Sequence, residues 1–155
     1  MLNKLKKSNN EGFTIIEVMI VLAIAGLILL IVFLAVPALQ RSSRNTQRKT
    51  DIGRIGSAAT TVVSNNSNSM AALTTGALTT ETGSNLSYYQ TSGIIANAPL
   101  ASGGTAANPA NIDKVLVVPN GKCSGSNAVY ANRAIAVLYS SEGGSGGATP
   151  ICVDQ

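Results

Sequence analysis

A chain of 155 residues, 45% of them apolar, is long enough for one small domain, but much of its apolar content falls in a single N-terminal segment. From residue 41 onward Ser, Thr, Asn, Gly and Ala dominate and Trp is absent, which favours a thin, loop-rich domain over a deep pocket. A net charge of +4 is too small to argue for nucleic acid by itself, and without a single His the chain lacks the commonest catalytic base and metal ligand.

The first twelve residues are mostly polar and carry Lys4, Lys6, Lys7 and Glu11; the apolar zone begins sharply at Phe13. Residues 18–39 are 22 positions without a charge, a helix of about 33 Å at 1.5 Å per residue, enough to cross a bilayer. Only Glu17 interrupts the apolar run. A carboxylate at the edge of a membrane helix is costly unless paired, so something should neutralise it.

A secretory signal peptide would explain the basic start, with Ala23-Ile24-Ala25 as a small-residue cleavage site, but the product would begin with another apolar stretch running to Leu39. A plain single-pass anchor, carrying an outer binding module, explains the length and hydropathy but leaves Glu17 and the edge at Gly12-Phe13 without a reason. An acid resting in the headgroup zone is the bland reading of Glu17.

Lys6-Lys7-Ser8-Asn9-Asn10-Glu11-Gly12 followed by Phe13-Thr14-Ile15-Ile16-Glu17-Val18 resembles the processing site of type IV prepilins and pseudopilins. That resemblance implies a leader over residues 1–12, cleavage of the Gly12-Phe13 bond by a prepilin peptidase, and methylation of the new Phe13 amine. It further implies a structural subunit, not an enzyme, with no cofactor. The precursor would be stored in the cytoplasmic membrane, and an assembly platform and motor would then build it into an extracellular pilus, a helical homo-oligomer for adhesion, motility or DNA uptake. A minor pilin or pseudopilin of a secretion or competence system is the close alternative. Loss of the leader would leave eight of the eleven Lys and Arg and six of the seven Asp and Glu, a balance of +2.

The chemistry fits independently of the family: cleavage creates an α-amino group on Phe13, and Glu17 lies four residues on, one helical turn away on the same face. In the family Glu17 is expected to take the amine of a neighbouring subunit and so set register, which makes it an assembly residue. Gly26 and Pro37 weaken helical continuity, glycine by about 1 kcal/mol relative to alanine and proline through its missing N–H. Similar pilins carry glycine at the place of Gly26, but their proline falls about three residues before Pro37.

Beyond the apolar segment, residues 13–40, Arg41, Arg44, Arg48, Lys49 and Arg54 follow within fourteen residues. The positive-inside tendency alone would place them in the cytoplasm, opposite to the orientation that the leader implies. DNA is a conceivable partner for them, although lipid headgroups fit their position better. Ile52, Ile55, Ala58, Ala59, Val62 and Val63 keep a three-and-four spacing, which predicts that an amphipathic helix continues over 41–65.

Residues 66–111 read as loops with short elements near 86–90 and 93–96. Residues 112–155 read as a β-region with antiparallel strands over 112–118, 128–130 and 134–140, then a flexible Gly-rich turn over 143–147 that returns the chain to Cys152. That turn lacks the Lys and Ser/Thr of a phosphate loop. Cys123 and Cys152 are the two cysteines; in an exported chain they are expected to form a disulfide, the alternative being two buried thiols. The predicted architecture is α+β: a long N-terminal helix, half membrane-spanning and half amphipathic, packed on a small antiparallel sheet, with 41–155 as the globular part. No catalytic or metal-ligating constellation is expected.

Overall fold

The structure, a computed structural model, describes residues 12–84, 86–144 and 147–155. Its elements are the helix α1 (Ile15–Asn65), the short helix α2 (Thr75–Thr82) and five strands, β1 (Ile94–Ala96), β2 (Thr105–Ala106), β3 (Val115–Ser124), β4 (Asn127–Glu142) and β5 (Ala148–Asp154). The described residues divide after Leu39 into two compact units.

The first unit is the apolar part of α1. It stays helical through Gly26 and Pro37. Its large apolar side chains are exposed along its length, from Phe13 at 89% to Leu39 at 67%. A Cβ built at Gly26 would meet nothing within 4 Å among the described residues, so no contact with them demands glycine there.

In the second unit α1 becomes amphipathic. Ile52, Ile55, Ala59 and Val63 form a stripe at helical spacing that is buried with Leu73, Leu78, Tyr89 and Ile94 against Val115 and Val117 of β3 and Ile135, Val137 and Tyr139 of β4. Alternate residues of the same strands point to the opposite face, where Val118, Ala136 and Leu138 pack with Ala106, Ala128, Leu100 and both cysteines. Residues 135–140 of β4 are therefore buried at every position, because both faces of the strand are covered.

The strand order is β1-β3-β4-β2, with β5 also on β4. The expected antiparallel pairing holds for β3–β4, β4–β5 and β2–β4, but β1 runs parallel to β3. A parallel pair needs a long connection, and residues 97–114 supply it. The two predicted runs 128–130 and 134–140 are one strand with a bend. Opposite a register shift between Pro119 and Gly121, Asn120 and Arg133 both adopt positive φ, and the Arg133 N–H donates to Asn120 Oδ1 at 3.2 Å.

Two further features depart from the sequence expectation. Residues 112–114 form a turn and the strand starts at Val115. The stretch expected to be loop contains α2, whose N-cap Thr74 accepts from the Ala77 N–H at 3.2 Å and whose Leu78 is fully buried. Gly76 and a run of threonines concealed it, since both disfavour helix in isolation. The Gly-rich link between β4 and β5 does turn the chain, the Gly143 N–H donating to Gly147 O at 2.7 Å; residues 145 and 146 lie outside the described residues.

Polar groups fasten α1 to the rest of this unit. Asp51, fully buried, accepts N–H bonds from Ser87, Tyr88 and Tyr89 at 2.6–3.1 Å and so fixes the loop before β1. Glu142 at the end of β4 accepts a two-pronged contact from Arg44, at 2.9 and 2.7 Å, and a bond from Arg48 at 2.8 Å. Arg48 is itself buried, donates to Asn45 and to the Tyr88 hydroxyl, and stacks 4.0 Å from the Tyr88 ring centre. The Arg44 and Arg48 guanidinium groups hold the Glu142 carboxyl well below the usual carboxylate range, at about 2. On the other face, Asn108 ties the long connection to the sheet by donating to Tyr139 O at 3.0 Å and Ile151 O at 2.8 Å.

Cys123 and Cys152 are joined in a disulfide across 29 residues, and the Cys123 N–H donates to Asp154 Oδ1 at 2.7 Å. Replacing both cysteines by serine should lower unfolding stability by about 3 kcal/mol, since a crosslink of that loop length restricts the unfolded chain; chemical denaturation with and without reductant measures it.

A carboxyl with a depressed folded value stabilises the fold above its unfolded value and loses that contribution as pH falls towards the folded one. Glu142→Gln, which strands the buried Arg48, is expected to cost about 3 kcal/mol near neutrality. The gap between wild type and variant in a pH series of melting curves should be full above about pH 5 and close between there and about pH 2.

Candidate processing and assembly site

Gly12, Phe13 and Thr14 precede the first residue of α1, and Glu17 lies in its first turn. Thr14 is the N-cap. Its N–H and its Oγ1–H both donate to Glu17 Oε2 at 2.8 Å, while the Glu17 N–H donates back to Thr14 Oγ1 at 3.3 Å. This reciprocal pair is a capping box, and it satisfies backbone donors that a helix start otherwise leaves without partners. It also gives the Glu17 carboxylate polar company at the edge of an apolar segment. The sequence carries the signal for this cap, since Thr14-Ile15-Ile16-Glu17 has the T-x-x-E form.

Phe13 and Glu17 share one side of the helix, where they line a shallow furrow with Val18, Val21 and Leu22. Glu17 is the sole acid in residues 12–39. A Cβ added at Gly12 would meet nothing within 4 Å among the described residues, and Gly12 does not adopt positive φ. Residues 1–11, and with them nearly all of the expected leader, lie outside the described residues. Gly26 and Pro37 are further along α1, while Cys123 and Cys152 are in the second unit.

Residues 7–33 match the family model described as the prokaryotic N-terminal methylation motif. The chain carries the signature of type IV pilins and pseudopilins. The matched stretch takes in Gly12, Phe13, Glu17 and Gly26 and ends before Pro37; residues 34–155 are outside it. No curated protein and no solved structure matches the chain.

The Thr14 cap has a measurable consequence. Thr14→Ala removes both the acceptor for the Glu17 amide and the hydroxyl on its carboxylate, and loss of an N-cap of this kind should speed amide hydrogen exchange over residues 15–17 about fivefold. Exchange at residues 52–63, held by the core, should not change.

Proposed function

We propose that the chain is a filament subunit of the type IV pilin class: a membrane-stored precursor cut between Gly12 and Phe13, methylated on Phe13, and assembled into an extracellular fibre through residues 13–40, with residues 41–155 as its globular part. The observation that carries this reading is an apolar half-helix with its side chains exposed from end to end, headed by one carboxylate. That surface must be covered in water, and lipid can cover it in the precursor while copies of the same helix cover it in the fibre. The exported part is stapled by a disulfide, as suits an oxidising compartment.

Cleavage supplies what Glu17 lacks. Before it, Thr14 provides local hydrogen bonds; after it, a cationic amine stands one turn away. A carboxylate buried among packed apolar helices needs a cation, and the Phe13 amine of a neighbouring copy provides one only at a fixed stagger. Gly26 supports close helix contact, because its missing side chain serves no contact within the chain and small residues let helix backbones approach. The partners in this scheme are a prepilin peptidase, an assembly platform with its motor, the membrane and further copies of the chain.

Protein sheared from the cell surface should begin with methylated Phe13. Gly12→Leu should accumulate at full length in the membrane without fibres, whereas Glu17→Ala should be cut normally yet fail to assemble. Recovery of surface material that still begins at Met1, or unchanged fibre yield in the Glu17 variant, would overturn the proposal.

A further inference from the structure

The basic residues that follow the apolar segment form a cluster, and Glu142 faces two of them. Arg41 is the second residue after Leu39, and Arg44, Arg48 and Lys49 follow within the next two turns. Among the described residues the carboxylate of Glu142 faces both Arg44 and Arg48. Arg48 is buried in that contact, but the Arg44 side chain stays 43% exposed and Lys49 is exposed. Arg41 donates to the Gly144 carbonyl at 2.5 Å, which places its guanidinium beside the Gly-rich turn. Arg54, 3.8 Å from Asp51, has its charge offset and takes no part. The cluster therefore keeps a net positive charge while two of its members are held by the sheet.

The apolar part of α1, from Ile15 to Leu39, is about 37 Å long, longer than the hydrocarbon core of a bilayer and shorter than the bilayer with its headgroups. Arg41 then follows at the level where phosphates begin, and Arg44 about 4.5 Å further on. Lys49 lies about 12 Å beyond Arg41, within reach of the surface potential through its long side chain. We infer that Arg41, Arg44 and Lys49 form a docking surface for the phosphate headgroups of anionic phospholipids in the leaflet where the apolar segment ends. Guanidinium and ammonium groups with anionic headgroups are the charge-complementary pair available at that depth. The inference rests on the membrane-stored precursor reading, and it gives the Glu142 contact a second consequence: it presents Arg44 in a fixed direction while removing Arg48 from the surface.

The test uses the full chain reconstituted in vesicles of phosphatidylcholine mixed with phosphatidylglycerol. After an alkaline wash and mild detergent release, the co-purifying lipid is counted by native mass spectrometry. Wild type should retain phosphatidylglycerol several-fold above its share of the bulk lipid. Arg41→Gln with Lys49→Gln, which leaves the Arg44–Arg48–Glu142 contact intact, should bring that ratio near the bulk value. Lys122→Gln with Arg133→Gln removes the same charge beyond the bend of the β3–β4 ribbon and should leave the ratio unchanged. A wild-type ratio equal to bulk, or equal losses in the two double variants, would overturn the headgroup site while leaving membrane storage standing. A chain stripped from the vesicles by the alkaline wash would overturn both.

Discussion

Everything in this molecule depends on one imbalance: about a sixth of the chain is a helix whose apolar side chains, among the described residues, stay exposed. Hydrophobic burial is the largest favourable contribution to folding, yet here the most apolar segment contributes none of it to the core. The second unit makes its core from a different set of residues, the stripe of α1 from Ile52 to Val63 and the inward faces of β3 and β4. The two halves of one helix thus answer to different surroundings. The first is shaped for a medium outside the chain, the second for the chain's own sheet.

That separation explains where the polar interactions sit. At the start of the apolar half, the Thr14–Glu17 capping box closes the helix end and keeps the carboxylate hydrogen-bonded. Where the amphipathic half begins, Asn45 and Glu142 exchange side-chain and backbone bonds at 2.9 and 3.0 Å, and Arg44 and Arg48 converge on the same glutamate. A little further on, Asp51 binds three successive amides. Helical register against the sheet is thereby set by directional contacts before the apolar stripe begins, which matters because the small side chains of Ala58 and Ala59 permit sliding more readily than large ones would.

The long helix, its change of character near residue 40 and the strands around 115–140 were legible because each is a periodic pattern in contiguous sequence. Glu17 stood out as a lone charge in an apolar run. What could not be read depends on residues far apart. The parallel pairing of β1 with β3 joins Ile94 to Val115 across a connection without a pattern of its own, and the Glu142 contact spans 94–98 residues. Helix α2 failed for another reason: its local propensity is poor, and it persists because Thr74 caps it and Leu78 is buried. Asp51 looked isolated in sequence since its partners are backbone amides, which no residue type announces. Thr14 was readable from a short motif.

The buried ionic contact at Glu142 is expensive to build. Removing Arg48 from water costs several kcal/mol, and an apolar side chain of similar volume would pack there more cheaply. What the charged version provides is direction: a guanidinium donates its hydrogen bonds in its plane, so Arg48 joins Asn45, Tyr88 and Glu142 in one arrangement, whereas a leucine would tolerate several. A contact that ties the helix to β4 through three side chains resists rotation and slippage in a way that undirected apolar packing does not. The sheet is itself closed by the Cys123–Cys152 bridge on its other face, so the strand carrying Glu142 is braced on both sides.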